Sequence, residues 1–120
     1  KHKLSIPRAR YTVSVPDFSG IFPALVTPLT STGELDIPTL ERLTKHLYTS
    51  GVHGLYLCGS TGEGRDLPPT VREQILEIVL RLTPPGRTVI AHIGATRLEE
   101  TLRLARHAES AGAAAISSLP

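Results

Sequence analysis

The chain has 120 residues, 40% hydrophobic and 20% charged, which suits one ordinary globular domain with a modest core and excludes disordered or collagen-like chains. A formal net charge of +2, with two Phe and three Tyr, supplies neither the basic surface nor the stacking platform that nucleic acid requires. Cys58 is the single cysteine, which excludes an internal disulfide and a cysteine-rich metal site and fits a reducing, cytoplasmic setting. No apolar run approaches the roughly 18 residues of a membrane span, so neither a nucleic-acid nor a membrane partner is expected.

Residues 1–19 read as a basic tail, in which Lys1, Lys3, Arg8 and Arg10 precede the first acid, Asp17. A loosely docked tail is the first reading and the remnant of a targeting peptide the second. The chain lacks methionine, so it is expected to be processed or to be a piece of a longer one. Ile21–Val26 is the first strand candidate, closed by Thr27-Pro28, and Thr30–Glu34 is a polar loop. Asp36 is placed to cap a helix carrying Ile37, Leu40, Leu43 and Leu47 on one face, and Gly51 to end it in a left-handed conformation.

Leu55–Cys58 is the second strand. Val71, Ile75, Ile78, Val79 and Leu82 mark a second helix, with Thr70 and Glu73 at capping-box spacing and Pro84-Pro85-Gly86 as its stop. Val89–Ile93 is a third strand. Thr96 and Glu99 repeat the capping-box spacing before a helix carrying Leu98, Leu102, Ala105 and Ala108, which Gly112 ends; Ala113–Leu119 is a fourth strand. This alternation predicts an α/β fold of parallel strands with right-handed crossovers, and spacing alone leaves an open doubly wound sheet and a barrel both standing.

The loop Gly59-Ser60-Thr61-Gly62-Glu63-Gly64 leaves the second strand at its C-terminal end. Glycines at 59, 62 and 64 permit backbone angles closed to other residues and let the main chain approach a ligand, and Ser60 and Thr61 offer hydroxyls and amides to an anion. A plain surface turn uses the same residues. A Walker loop is excluded, because no Gly-Lys-Ser/Thr ends the motif. A dinucleotide fingerprint is excluded as well, since Arg65–Pro69 separates the loop from the next helix.

Taken in order, Gly20-Ile-Phe-Pro-Ala-Leu-Val-Thr-Pro28, Gly51-Val-His-Gly-Leu55, Gly59-Ser-Thr-Gly-Glu63 and Gly94-Ala95 resemble the N-acetylneuraminate lyase and dihydrodipicolinate synthase family, from about Gly20 to Pro120. The resemblance implies the N-terminal half of a TIM (β/α)8 barrel over residues 20–120, with strands one to four and helices one to three. A complete barrel takes about 250 residues. It also implies a class I pyruvate or 2-oxo acid lyase that forms a Schiff base with an active-site lysine, with no cofactor and no metal. Homotetramers are usual in that family, so a homo-oligomer is expected of the full-length protein.

Carried over by position, the resemblance makes Ser60 and Thr61 the carboxylate-binding pair, gives Ser60 a part in a proton relay with tyrosines, and makes Ala24 a pocket-lining residue. Gly59, Gly62 and Glu63 read as loop support; a loop carboxylate commonly accepts nearby amides, which favours Glu63 as an anchor over a catalytic acid. The nucleophilic lysine and its tyrosine partner would lie on later strands, beyond Pro120. Lys45 reads as a solvated helix residue. Pro68-Pro69 and the long basic tail depart from the family pattern without touching Ser60 or Thr61.

His92 is expected to be a satisfied structural histidine and Cys58 a small buried apolar group; His2, His46, His53 and His107 form no i, i+4 metal pair. Two kinds of function follow. One is the carboxylate-binding part of a lyase resembling N-acetylneuraminate lyase, with dihydrodipicolinate synthase or a 2-keto-3-deoxy sugar-acid aldolase as alternatives. The other is a catalytically silent half-barrel whose open strand edges self-associate.

Overall fold

The computed structural model describes residues 16–119, so most of the basic tail expected over residues 1–19 lies outside the described residues, as does Pro120. Three parallel strands lie side by side in chain order: β1 (Gly54–Leu57), β2 (Thr88–His92) and β3 (Ala115–Ser117). Helix α1 (Ile37–Thr49) precedes β1, α2 (Pro69–Leu82) joins β1 to β2, and α3 (Leu98–Ala111) joins β2 to β3. A doubly wound sheet would reverse its strand order at a switch point, whereas these strands advance in one direction, as in a barrel wall.

The expected first strand is present as an extended segment. Leu25 N–H donates to the Tyr56 carbonyl (2.9 Å), Tyr56 N–H to that of Pro23 (3.0 Å) and His53 N–H to that of Ile21 (3.0 Å). Only one parallel bridge, Ala24 with Tyr56, results. Pro23 has no N–H to form the next rung, which breaks what would have been a ladder.

Strand parity sets the layers. Leu55 and Leu57 of β1 and Val89 and Ala91 of β2 point to the helices and are buried with Leu40, Ile75, Val79 and Ala108. Tyr56, Ile90, His92 and Ser117 alternate with them and take the other face, in register Tyr56 with Ile90 and His92 with Ser117. The inner face of the wall therefore carries the polar groups.

In α1 the Asp36 carboxylate accepts from the Thr39 amide (3.1 Å), which holds its pKa below the ordinary carboxylate range. Gly51, just past the helix end, adopts the expected left-handed conformation at φ 95°. Both expected capping boxes are absent. Helix α2 begins at Pro69, so Thr70 sits inside its first turn, and the proline itself removes one of the N–H groups a cap would have served. Helix α3 begins at Leu98 after Arg97, with no side-chain cap; Glu99 and Glu100 place negative charge on its first turn instead. No helix among the described residues is long and apolar enough to cross a membrane.

Candidate functional site

The glycine loop is built differently from the expectation. Its left-handed positions are two non-glycine residues, Cys58 at φ 59° and Glu63 at φ 55°, while Gly59, Gly62 and Gly64 do not have positive φ. Those glycines serve close approach: a Cβ on Gly64 would overlap the Cys58 carbonyl, and one on Gly62 would come within 2.9 Å of the Leu25 carbonyl oxygen. The loop folds back on the strand it leaves. Glu63 N–H donates to Ser60 O and Gly64 N–H to Gly59 O, each at 3.1 Å, and Thr27 Oγ1 donates to Gly62 O at 2.6 Å.

This folding lifts Ser60 and Thr61 to an exposed tip, where neither hydroxyl has a hydrogen-bond partner among the described residues. They share a cleft of ≈ 230 Å³ with Ala24, Tyr56, Gly59, His92 and Leu119. The cleft lies at the C-terminal end of the strands, where (β/α) barrels carry their sites. The three residues expected to bind ligand, Ala24, Ser60 and Thr61, are thus brought together. Glu63 borders a second space of ≈ 380 Å³ that also touches Ser60 and His92. Its carboxylate accepts no hydrogen bond among the described residues, so Glu63 supports the loop through its backbone, not as the side-chain anchor expected.

Two residues not singled out from sequence shape the surroundings of the site: Tyr56 in its wall, and Arg72 in the helix layer behind it. The Tyr56 hydroxyl donates to Ser117 Oγ (2.8 Å), and the Tyr56 and His92 rings lie 6.3 Å apart. Parity could have found Tyr56, since it alternates with Leu55 and Leu57. Arg72 of α2 is 4% exposed and donates to the carbonyls of His92 (2.6 Å) and Gly94 (2.8 Å). Its spacing from Ile75 and Leu76 places a cation on the buried face of α2, which was the available signal.

His92 departs from the satisfied histidine expected. It is 7% exposed, and Nδ1 is enclosed without a hydrogen-bond partner. Burial first, then the positive charge of Arg72, holds its pKa below the ordinary histidine value, so the ring is neutral at pH 7. Cys58 behaves as expected: it is buried, and burial pushes its thiol up to about 11 although the nearby Arg72 opposes the shift. It is no nucleophile at neutral pH. Lys45 is exposed on α1, and no other lysine lies among the described residues. The site therefore offers hydroxyl donors, a phenol and a neutral imidazole, a set suited to holding an anion and not to attacking one.

The sequence matches the Dihydrodipicolinate synthetase family over residues 17–120. It is 41% identical over 103 residues to an N-acetylneuraminate lyase of Citrobacter koseri, covering 86% of this chain and 35% of that one. To a 4-hydroxy-tetrahydrodipicolinate synthase of Roseobacter denitrificans it is 41% identical over 96 residues, covering 80% and 33%. Among solved structures it superposes on the N-acetylneuraminate lyase of Mycoplasma synoviae with a TM-score of 0.80 at 35% identity, covering 84% of this chain and 35% of that one. It also superposes on YagE of E. coli K12, a prophage protein of the dihydrodipicolinic acid synthase family solved in complex with pyruvate, with a TM-score of 0.78 at 35% identity, covering 84% and 34%. The chain spans about a third of the length of the relatives it matches. With its one-directional parallel wall and a glycine loop at the strand ends, the chain belongs to the dihydrodipicolinate synthetase family and forms part of a (β/α)8 barrel.

Proposed function

We propose that this segment supplies the carboxylate-binding loop of a class I 2-oxo acid lyase resembling N-acetylneuraminate lyase, working as a cytoplasmic homotetramer when complete. The observation that carries the reading is the shared cleft in which the unpartnered Ser60 and Thr61 hydroxyls meet Ala24 and Tyr56. In it the two hydroxyls hold the carboxylate of pyruvate or a related 2-oxo acid, and Ser60 passes a proton between tyrosines. A lysine outside these 120 residues adds its amine to the C2 carbonyl and expels water, giving the Schiff base; exposed Lys45 is unsuited to that step. The stretch Ala91-His-Ile-Gly-Ala95 and the ending Ser117-Ser-Leu-Pro120 lean the reading toward the sialic-acid type, with dihydrodipicolinate synthase and sugar-acid aldolases as alternatives.

The test is borohydride trapping with pyruvate followed by intact mass, on the chain and on the complete protein. A pyruvate-sized adduct on the complete protein alone is expected. No adduct on either would sink the Schiff-base reading. It would favour a catalytically silent partial barrel that self-associates, for which the half-exposed Ile116 on β3, beside Leu102, gives the motive.

A further inference from the structure

Arg72 stands out as a buried cation on which Glu100 acts only through space, not as an ion-pair partner. Arg81, Arg97 and Arg103 each pair with a glutamate, whereas among the described residues no carboxylate forms an ion pair with Arg72. Enclosing a guanidinium without a paired counter-charge is costly, and the neighbouring positions Ile75 and Leu76 show that the same helix face takes aliphatic side chains. Something at this position needs the fork.

We infer that Arg72 is a positioning residue for the 2-oxo acid site, clamping the end of β2 so that His92 and the Cys58–Gly64 loop keep one fixed relation. The inference rests on the function proposed above. The two terminal nitrogens of the guanidinium donate to carbonyls two residues apart, Nη2 to His92 (2.6 Å) and Nη1 to Gly94 (2.8 Å). Such a planar pair of donors fixes the course of the backbone between its acceptors, which a point charge on a flexible stem does not. His92 begins that stretch, and its ring lines both spaces beside Ser60. On its other side the guanidinium shares the lining of a small internal cavity with Cys58, the left-handed residue from which the glycine loop springs. One side chain of the helix layer thus bonds the end of β2 and borders the same cavity as Cys58, just past the end of β1.

The test compares the complete wild-type protein with Arg72→Met and Arg72→Lys. Two readouts are taken: the pyruvate concentration giving half-maximal borohydride trapping, and amide hydrogen exchange over residues 58–64 and 92–95. Arg72→Met is expected to raise the half-trapping concentration roughly tenfold or more, because small misplacements of binding groups are amplified in this way. Maximal trapping should be unchanged, with Arg72→Lys between the two and exchange faster in both segments but not in α1. Trapping curves that coincide with wild type for both variants would overturn the inference, and so would unchanged exchange. If the wild type itself does not trap, the functional reading fails, while faster exchange in both segments still upholds the clamp. Should Arg72→Met not fold, Arg72→Lys carries both readouts.

Discussion

The Tyr56 hydroxyl donates to Ser117 Oγ at 2.8 Å, linking β1 to β3 across the strand that separates them. Backbone ladders bind only neighbours, so this side-chain bond is a tie between strands that do not touch through their main chains. It also holds the Tyr56 side chain in the wall of the cleft that Ser60 and Thr61 share. Replacing Tyr56 by Phe, Ser117 by Ala, and both together, should give a coupling energy of about 1 kcal/mol in denaturant unfolding of the complete protein. Strictly additive effects would mean that the bond adds nothing to stability.

Thr61→Val keeps the side-chain shape and removes its hydroxyl. If that hydroxyl holds a charged carboxylate, 2-oxo acid binding should weaken by about 1.5–3 kcal/mol, read from the pyruvate dependence of trapping. Unchanged pyruvate binding would remove Thr61 from the site.

Gly64→Ala inserts a methyl group against the Cys58 carbonyl, a backbone group held by the strand before it. The loop must open to admit it. A stability loss of roughly 1–3 kcal/mol is expected, together with loss of 2-oxo acid binding, because Ser60 and Thr61 ride on the displaced segment. A variant that melts and binds as wild type would show that the loop has slack which the packing at Gly64 does not suggest.

The enclosed His92 makes stability depend on pH. Its folded pKa lies below the ordinary value of about 6.5, so between the two values the unfolded chain binds more protons than the folded one. Stability should therefore rise with pH through that window and be lost as pH falls through about 6.5 toward the folded pKa. Unfolding midpoints measured between pH 5 and 8 should show this slope, and His92→Gln should remove it. An identical slope in the variant would assign the effect to other groups.

Much of the fold could be read from residue order. The apolar spacing of Leu40, Leu43 and Leu47, the Asp36 cap and the left-handed Gly51 and Gly112 are local matters, governed by helix period and backbone freedom within a few residues. The same holds for the strand-helix alternation. The glycine loop with Ser60 and Thr61 was legible too, because strand and loop chemistry adjoin in the chain.

Other features depend on residues far apart in sequence. The sequence alone could not choose between a one-directional wall and a doubly wound sheet, because that choice lies in which strand edges pair. The left-handed turns fell on Cys58 and Glu63 and not on the loop glycines, because packing against the Cys58 carbonyl, and not local freedom, reserved the small positions. The expected caps at Thr70 and Thr96 gave way to Pro69 and to the first-turn acids of α3. Tyr56 meets Ser117 across 61 positions, and Arg72 reaches the His92 carbonyl across 20; only tertiary folding makes such pairs neighbours. The sequence by itself determined the elements and the hydroxyl pair of the loop, whereas the tertiary structure decided what surrounds that pair, because burial and long-range pairing belong to the assembled wall.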